Sequence, residues 1–251
     1  MYYCCGITDK GIMPHNEDAF LIDRSVNDSG TFQKMTSCPF TVAVSDGVSG
    51  ENSGEFASRM CLEYIRDMDF SQNTDMERSL MEVHRRLAQY SFENPDMNNM
   101  QATLCGLFFG SDDSIKVFNV GDSRLYRFRG GRIRQISRDQ SLVQLLYEEG
   151  AITLEQRRTH ARRNIIFPVF GSLSAEPEID IIELGAMQYG DILLLCTDGL
   201  SDYISAVDME EILELPKKLP ERLEMMVRKA LENGCTDNIT VTAVVYYNRP
   251  V

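Results

Sequence analysis

The sequence lacks several of the signatures by which enzymes and membrane proteins are commonly recognised. Its apolar runs fall well short of the roughly 20 residues that a membrane-spanning helix requires. The N-terminal stretch MYYCCGITDKG has neither the basic start nor the apolar core of a signal peptide. No Gly-x-Ser-x-Gly elbow and no Walker-type lysine loop occurs in the 251 residues. We therefore expect neither a membrane protein nor these nucleophile and nucleotide-binding sites.

Positive charge and the nitrogen and sulfur ligands of zinc are also scarce. Against 38 Asp and Glu the chain has 25 Lys and Arg, and the net charge of −13 argues against nucleic acid or an anionic membrane as the main partner. Three histidines and seven cysteines show no close spacing of the kind that a zinc site needs. The odd number of cysteines favours reduced thiols and hence a cytoplasmic location.

Short runs rich in β-branched and aromatic residues predict strands, and apolar residues at helical spacing predict three long helices. The predicted strands are Tyr2–Thr8, Ala19–Asp23, Phe40–Ser45, Ala102–Phe109, Ile115–Val120, Arg124–Arg129, Arg132–Ile136, Ile179–Glu183, Asp191–Cys196 and Ile239–Tyr247. The predicted helices are about Gly54–Met68, Asp75–Phe92 and Glu221–Glu232. The first helix is expected to bury the face with Phe56, Met60, Tyr64 and Met68. Because Gly130-Gly131 predicts a tight hairpin, antiparallel sheets covered by helices are favoured over alternating β-α-β units.

Two of these apolar strands end in an acid followed by a glycine, at FTVAVSDG (40–47) and ILLLCTDG (192–199). Asp46 and Asp198 follow their strands, whereas Asp18 and Asp237 directly precede predicted strands. A single Asp-Gly is more typical of a turn, but four acids placed alike at sheet ends would repel one another unless cations compensate them. Oxygen ligands are those that Mg²⁺ and Mn²⁺ prefer, so the pattern predicts a site for these ions.

The same pattern includes no protein nucleophile, which favours a metal-activated water as the attacking group. Two metal ions close together can deprotonate a bridging water and stabilise in-line attack on phosphorus. A general acidic surface explains the net charge equally well. A receiver domain that accepts phosphate on an aspartate is another interpretation, but it needs alternating parallel units, and the predicted hairpin argues against it.

Six motifs, taken in order, resemble the metal-dependent protein phosphatases of the 2C type, especially the short bacterial ones. The motifs are TDKGIMPHNEDAF, VAVSDGVSGENSGEFAS, NVGDSRLYRFRGGRIRQISRDQSLV, EEGAITLEQRRTHARRN, DILLLCTDGLSD and TDNITVTAVV. The resemblance implies an α+β fold, a four-layer α-β-β-α sandwich, as a single domain over residues 1–251 with a flap at about 148–170. It also implies a cytoplasmic monomer that hydrolyses phosphoserine and phosphothreonine in proteins phosphorylated by a serine/threonine kinase.

The resemblance further assigns the residues that would hold two Mn²⁺ or Mg²⁺ ions. Asp46 is similar to the acid that bridges both ions, and Gly47 would offer its carbonyl oxygen to the second ion. Asp198 and Asp237 would complete the coordination of the first ion. The acidic pair Glu17–Asp18 matches the one that helps to hold the second ion and its waters.

The resemblance also implies a site for a third ion, and it shows that one arginine usual in the family is missing here. Asp139, in SRDQS, matches the acid that joins Asp198 around a third ion in bacterial members. Family members usually have an arginine shortly before this acidic pair, where it holds the substrate phosphate. Here Met13 or Pro14 stands at that place. We therefore expect weak binding of simple phosphate monoesters and a high KM.

Other residues near these motifs bear on substrate binding. His15, Arg163 or Arg158 could supply the cation that is missing, although the arginines could equally form a solvated surface. Val48 and Glu51 stand where family members often have histidine, so a histidine general acid is not available there. Two hypotheses remain: an active Mn²⁺- or Mg²⁺-dependent protein phosphatase, and a degenerate phosphatase fold that binds phosphoproteins or a partner without turnover.

Overall fold

A computed structural model describes residues 1–48, 53–70, 75–97 and 99–247. Its strands are β1 (Tyr2–Asp9), β2 (Asp18–Ile22), β3 (Ser25–Asn27), β4 (Gly30–Thr36), β5 (Phe40–Asp46), β6 (Leu104–Phe109), β7 (Ile115–Val120), β8 (Arg124–Arg129), β9 (Arg132–Gln135), β10 (Asp180–Leu184), β11 (Ile192–Cys196) and β12 (Ile239–Tyr246). Its α-helices are α1 (Gly54–Arg66), α2 (Met76–Glu93), α3 (Leu142–Glu148), α4 (Leu154–Thr159), α5 (Asp198–Ser201), α6 (Ala206–Glu214) and α7 (Leu219–Glu232), and Pro95–Met97 forms one turn of 3-10 helix.

The strands form two six-stranded antiparallel sheets. The first sheet has the order β4-β1-β12-β11-β8-β9, and the second has the order β10-β7-β6-β5-β2-β3. An apolar core lies between the sheets, in which Phe40 and Phe109 stack with their ring centroids 4.3 Å apart. Helices α5 to α7 pack on the outer face of the first sheet, and α1 and α2 pack on that of the second. This four-layer arrangement confirms the predicted α+β sandwich.

Successive side chains of a strand point to opposite faces of its sheet, so they alternate between the core that separates the sheets and the core beneath the helices. Cys4 lies in the core between the sheets, and its neighbour Cys5 lies beneath the helices of the first sheet. Gly130 and Gly131 join β8 to β9 with φ values of 57° and 76°, which is the left-handed region that a two-residue hairpin turn needs. The hairpin prediction is therefore confirmed.

The predicted face of the first helix is confirmed only in part. The buried positions of α1 include Ala57, Cys61, Leu62 and Ile65, whereas Phe56 is 42% exposed. Small residues on this face let the helix lie close to β2 and β5. Met60, Tyr64 and Met68 of the predicted face are half-buried and pack against the same core. For the second helix, the apolar positions at helical spacing are buried or half-buried, namely Met76, Leu80, Val83, Leu87 and Tyr90.

Two strands and four short helices were not predicted. Strands β3 and β4 are the edge strands of their sheets, and the residues of β4 alternate between half-buried and exposed without a run of apolar side chains. Helices α4 and α6 begin at capping boxes formed by Thr153 with Gln156 and by Ser205 with Asp208, which are sequence signals for a helix start. Within 148–170 the structure has the short helix α4, and the boundary of a flap stays a prediction. Across the described part of the chain, no helix is both long enough and apolar enough to cross a membrane.

Candidate metal centre

Four of the predicted acids lie at the same end of the two sheets. Asp18 begins β2 and is the cross-strand partner of Asp46, the last residue of β5. Asp198 follows β11 closely, and Asp237 precedes β12, which pairs with β11. The sheets meet at this end, because the Thr197 hydroxyl of the first sheet donates a hydrogen bond to Oδ2 of Asp18 at 2.7 Å. The structure therefore places these four acids at one end of the sandwich, and their role as metal ligands stays a prediction.

The acids perturb one another electrostatically. Burial, followed by the charges of Asp18 and Asp198, holds the pKa of Asp46 well above its usual range. The pKa of Asp198 is raised in the same way, by burial and then by neighbouring carboxylates. Burial raises the pKa of Asp18 to about 7, although hydrogen bonds from Thr197 and Thr240 oppose the shift. A bound cation would reverse this destabilisation of the charged forms.

The donor chemistry of this end of the fold fits a hard cation. The side chains offer carboxylate oxygens, and the largest causes that raise the pKa values of Asp18, Asp46 and Asp198 are burial and other carboxylates. In the conformation described, no three His, Cys, Asp or Glu side chains of the described residues stand close enough together to coordinate one ion. The carboxylates therefore face one another without forming a ready-made coordination shell.

The glycines that follow the two acids are required by close approaches of the backbone. A Cβ on Gly47 would lie 2.1 Å from the carbonyl oxygen of Gly54, and a Cβ on Gly199 would lie 1.9 Å from the carbonyl oxygen of Asn238. Neither backbone atom can move aside as a flexible side chain could. At Gly54 a Cβ would in turn lie 2.5 Å from the carboxyl carbon of Glu17. Glycine is thus what lets the segments with the acids converge.

Asn238 fixes the loop that precedes β2. Its side-chain nitrogen donates to the carbonyl oxygens of Lys10 and His15, at 3.0 Å each, and its side-chain oxygen accepts from the backbone nitrogen of Glu17 at 2.8 Å. Glu17 is half-buried, and burial together with the charge of Asp237 raises its pKa. The loop with both residues of the acidic pair is therefore tied to the loop with Asp237.

The structure does not support Asp139 as a free metal ligand. Asp139 is 3% exposed, and both of its carboxylate oxygens accept hydrogen bonds from Arg124, the closest at 2.7 Å. Gln135 donates a further hydrogen bond to it, also at 2.7 Å. Its negative charge is thus already compensated by a buried guanidinium. The sequence motif gave no sign of this partner.

Asp122 was missed by the sequence reasoning. It is half-buried directly after β7 and Gly121, and burial together with the charge of Asp139 raises its pKa to about 7. Asp122 is the acid that raises the pKa of Asp198 most strongly. Its position in NVGDSR, one glycine beyond an apolar strand, is the signal that could have identified it.

The predicted substrate-binding residues lie at the rim of this centre or beyond it. Met13 and His15 are exposed in the loop held by Asn238. Arg163 lies with its Nε 3.8 Å from Oδ2 of Asp202, and its side chain lines a small cavity together with Asp122 and Arg157. Arg163, one of the arginines that could replace the missing one, thus has an acidic neighbour in Asp202.

The remaining predicted positions are only partly described. Val48 is 41% exposed, while Glu51 lies outside the described residues. The backbone of Arg158 belongs to α4, but its side chain is outside the described part of the structure. His84 of α2 is buried and accepts a hydrogen bond from the backbone nitrogen of Gly171.

Sequence comparison places the chain in a known family. A sequence model of the family described as Protein phosphatase 2C matches residues 22–237. The serine/threonine phosphatase Stp of Listeria monocytogenes serotype 4b is 32% identical over 248 residues, and the alignment covers 94% of this chain and 93% of that protein. The chain belongs to the protein phosphatase 2C family.

Solved structures show the same architecture. Serine/threonine phosphatase Stp1 from Staphylococcus aureus superposes with a TM-score of 0.82 at 26% identity, over 99% of this chain and 96% of that one. The catalytic domain of serine/threonine protein phosphatase PstP, solved in complex with two manganese ions, gives a TM-score of 0.78 at 25% identity, over 99% of this chain and 100% of that one. This chain is similar to bacterial serine/threonine phosphatases over nearly its whole length.

Proposed function

We propose that this chain hydrolyses phosphoserine and phosphothreonine in proteins at the acidic centre, with Mn²⁺ or Mg²⁺ as its cofactor. The observation that carries the proposal is the convergence of Asp18, Asp46 and Asp198 from both sheets, with the pKa of each raised by burial and by its neighbours. Family membership supports the reaction class, and the manganese complex of PstP supports the kind of metal.

The residues that would hold the ions follow from these positions. We assign Asp46, the carbonyl oxygen of Gly47, and the pair Glu17–Asp18 to one side of the centre, and Asp198 and Asp237 to the other. When bound, the ions would lower the pKa of a coordinated water and stabilise charge on the phosphoryl oxygens. For a third ion, Asp122 beside Asp198 replaces Asp139 as the proposed oxygen donor, because Arg124 already occupies both oxygens of Asp139.

The chain's own residues contribute rigid positioning. The backbone nitrogen of Asp46 donates to Oγ1 of Thr103 at 3.0 Å, and its carbonyl oxygen accepts from the Thr103 nitrogen at 2.8 Å. Thr197 and Thr240 likewise hold the carboxylate of Asp18. Because the acids are fixed by the backbone and by hydroxyl groups, little reorganisation is needed to receive charged groups between them.

Binding of the substrate phosphate is proposed at the rim formed by the loop with Met13 and His15. Arg163 is one of the cations that the sequence assigns to it, but its 3.8 Å approach to Asp202 offsets part of its charge. The site therefore combines a set of acids like that of an active phosphatase with a weak phosphate clamp. We expect a low affinity for small monoesters and a larger contribution from the protein part of the substrate.

The absence of an arginine at Met13 favours a second candidate function, a degenerate phosphatase fold that binds a phosphoprotein or a partner without turnover. That candidate does not explain why several acids with raised pKa values are kept at one end of the sheets. The unpaired thiols of all seven cysteines support a reducing, cytoplasmic environment for either function. We further propose a monomer that acts on substrates of a serine/threonine kinase.

A chelation experiment separates the two candidates. Protein treated with a chelator should not hydrolyse p-nitrophenyl phosphate or a phosphothreonine peptide, and added Mn²⁺ should restore turnover. Asp46→Asn should abolish restored activity while circular dichroism remains that of the folded chain. As a matched control, Asp67→Asn removes an exposed acid that pairs with Arg66 and should leave activity unchanged. Turnover in chelator, or full activity of Asp46→Asn, would contradict the proposed mechanism.

A further inference from the structure

A groove far from the acidic centre leaves part of the first sheet uncovered. In this sheet Tyr3 of β1 is the cross-strand partner of Met35 on β4 and of Val245 on β12, and Val245 is in turn the partner of Ile192 on β11. Cross-strand partners point to the same face. These four side chains therefore form one apolar row across four strands, on the face that α6 and α7 cover elsewhere.

Helix α7 begins too late to cover this row. The next row inward, with Cys5 and Ala243, is completely buried beneath helix residues such as Leu223. Helix α7 starts at Leu219, so Tyr3 and Val245 stay half-buried, and Met35 is 45% exposed. The result is a groove with a cavity volume of about 680 Å³ over the apolar row.

Three cations form one wall of the groove. They are Lys217, Lys218 and Arg222, at the turn before α7 and in its first turn, and no acid is among the described residues that line the groove. Arg222 is held in place because its Nε donates to the carbonyl oxygen of Lys217 and its Nη1 to that of Leu213. Lys217 approaches Glu221 at 4.0 Å, with both side chains about half exposed, which screens its charge only in part.

This local charge is opposite to that of the whole protein, which has a formal net charge of −13. An apolar floor four strands wide, with cations along one side, is complementary to an extended segment with apolar side chains on one face and carboxylates on the other. A compact inorganic anion would leave the apolar floor uncovered. A strongly basic segment would meet three like charges at the wall.

We propose that this groove is a docking site for an extended peptide segment of a partner protein in which apolar side chains alternate with carboxylates. The groove is remote from the acidic centre. Asp9, at the other end of β1, is the cross-strand partner of Ile239, two residues after Asp237. Tyr3 precedes Asp9 by six residues of an extended strand, which is about 20 Å at the usual rise per residue. A segment bound there would not occupy the proposed active site. The proposal does not depend on turnover, because it concerns binding at the opposite end of the sheet.

Binding is measured on the full chain by fluorescence anisotropy, with a short fluorescein-labelled peptide that alternates Glu with Phe and Leu. The counterpart peptide has Lys in place of every Glu. We expect the acidic peptide to bind and the Lys peptide not to bind. The double variant Lys217→Glu, Lys218→Glu should weaken binding at least about tenfold, because charge reversal replaces attraction by repulsion. Met35→Gln, which keeps the size of the side chain but makes it polar, should weaken it about threefold.

The matched control is Arg78→Glu with Arg85→Glu, which makes the same change in net charge at exposed positions of α2 on the other sheet. It should bind the acidic peptide like the unmodified chain. Hydrolysis of p-nitrophenyl phosphate is measured for every variant, so that a defect of the acidic centre is separated from a defect of the groove. Thermal unfolding checks that each variant is folded.

Three results would overturn the proposal. The first is that the unmodified chain and the Lys217→Glu, Lys218→Glu variant bind the acidic peptide with equal affinity, or that the unmodified chain binds the Lys peptide as tightly as the acidic one. The second is concentration-dependent self-association in sedimentation that Met35→Gln abolishes, which would make the groove an interface with a second copy. The third is binding to phosphatidylserine vesicles that the charge reversal abolishes, with no binding of the acidic peptide.

Discussion

Removing Asp139 should destabilise the fold rather than remove a metal ligand. Arg124 is 9% exposed, and Asp139 compensates its charge by accepting hydrogen bonds from both Nε and Nη2. Breaking a buried ion pair by removing one partner typically costs about 3–5 kcal/mol, because the other charge stays buried without compensation. Asp202 remains 3.4 Å from Nη2 of Arg124. We therefore expect Asp139→Ala to lower the free energy of unfolding by about 3 kcal/mol, the low end of that range.

Asp122→Ala should have the opposite balance of effects. Asp122 is one of several carboxylates that raise one another's pKa, so its removal relieves repulsion in the metal-free protein. The free energy of unfolding without metal should be unchanged or higher. The variant should lose the weakest of its Mn²⁺ sites, because the proposed third ion loses an oxygen ligand next to Asp198.

Two measurements on each variant decide between the assignments. Urea unfolding in chelator gives the stability, and isothermal titration calorimetry with Mn²⁺ gives the number and affinity of bound ions. Asp139→Asn serves as a control of similar volume that keeps one acceptor for Arg124. If Asp139→Ala unfolded at the same urea concentration as the unmodified chain and lost Mn²⁺ binding, the pairing argument would be refuted and Asp139 would be the metal ligand.

Four further predictions concern other residues of the chain. Gly199→Ala should cost about 3 kcal/mol of stability, measured by urea unfolding, because the added methyl would lie 1.9 Å from a backbone carbonyl oxygen that cannot give way; an unchanged midpoint would contradict the close approach. Met13→Arg should raise kcat/KM on a phosphothreonine peptide by about tenfold, because the added guanidinium can form a charge-assisted hydrogen bond with the phosphate. Arg163→Ala should change KM little. If Met13→Arg had little effect and Arg163→Ala raised KM sharply, Arg163 would already hold the phosphate. Ser205→Ala should lower the free energy of unfolding, measured in urea, by about 1 kcal/mol, because α6 loses its N-terminal cap. Hydrogen bonds from Ser205 and Lys229 lower the pKa of Asp208 to about 2, so the stability from this acid is present above its unfolded pKa and is lost as the pH falls toward 2; an Asp208→Asn variant with the same acid dependence as the unmodified chain would contradict this.

The sequence predicts the sheets well where strands are apolar and buried. The bounds of β7 and β8 agree with the predicted runs to the residue, because β-branched or aromatic residues that favour a pleated surface recur in both strands. Strand β4 could not be predicted in this way. It lies at a sheet edge and has few apolar residues, so its formation depends on pairing with β1 rather than on its own composition.

The acids of the centre were predictable to different degrees. Asp46 and Asp198 follow apolar strands, so their sequence context alone places them at a sheet end. The pairing of Asp139 with Arg124 was not predictable, since it depends on how β8 and the segment after β9 come together across 15 positions of the chain. Asp122 was visible in the sequence, but the glycine between it and its strand separated it from the pattern of the other acids.

The glycine after each strand-end acid shows where sequence reasoning stops. Sequence alone permits a turn, a close approach of a carbonyl oxygen to a metal, or no special requirement. The structure adds that a side chain at Gly47 or Gly199 would collide with the backbone of another segment, at Gly54 and Asn238 respectively. Those segments contribute to the same centre, since Gly54 packs against Glu17 and Asn238 follows Asp237. Each glycine therefore acts between two acid-bearing segments, and replacing it would move the acids apart even though no ligand atom is lost.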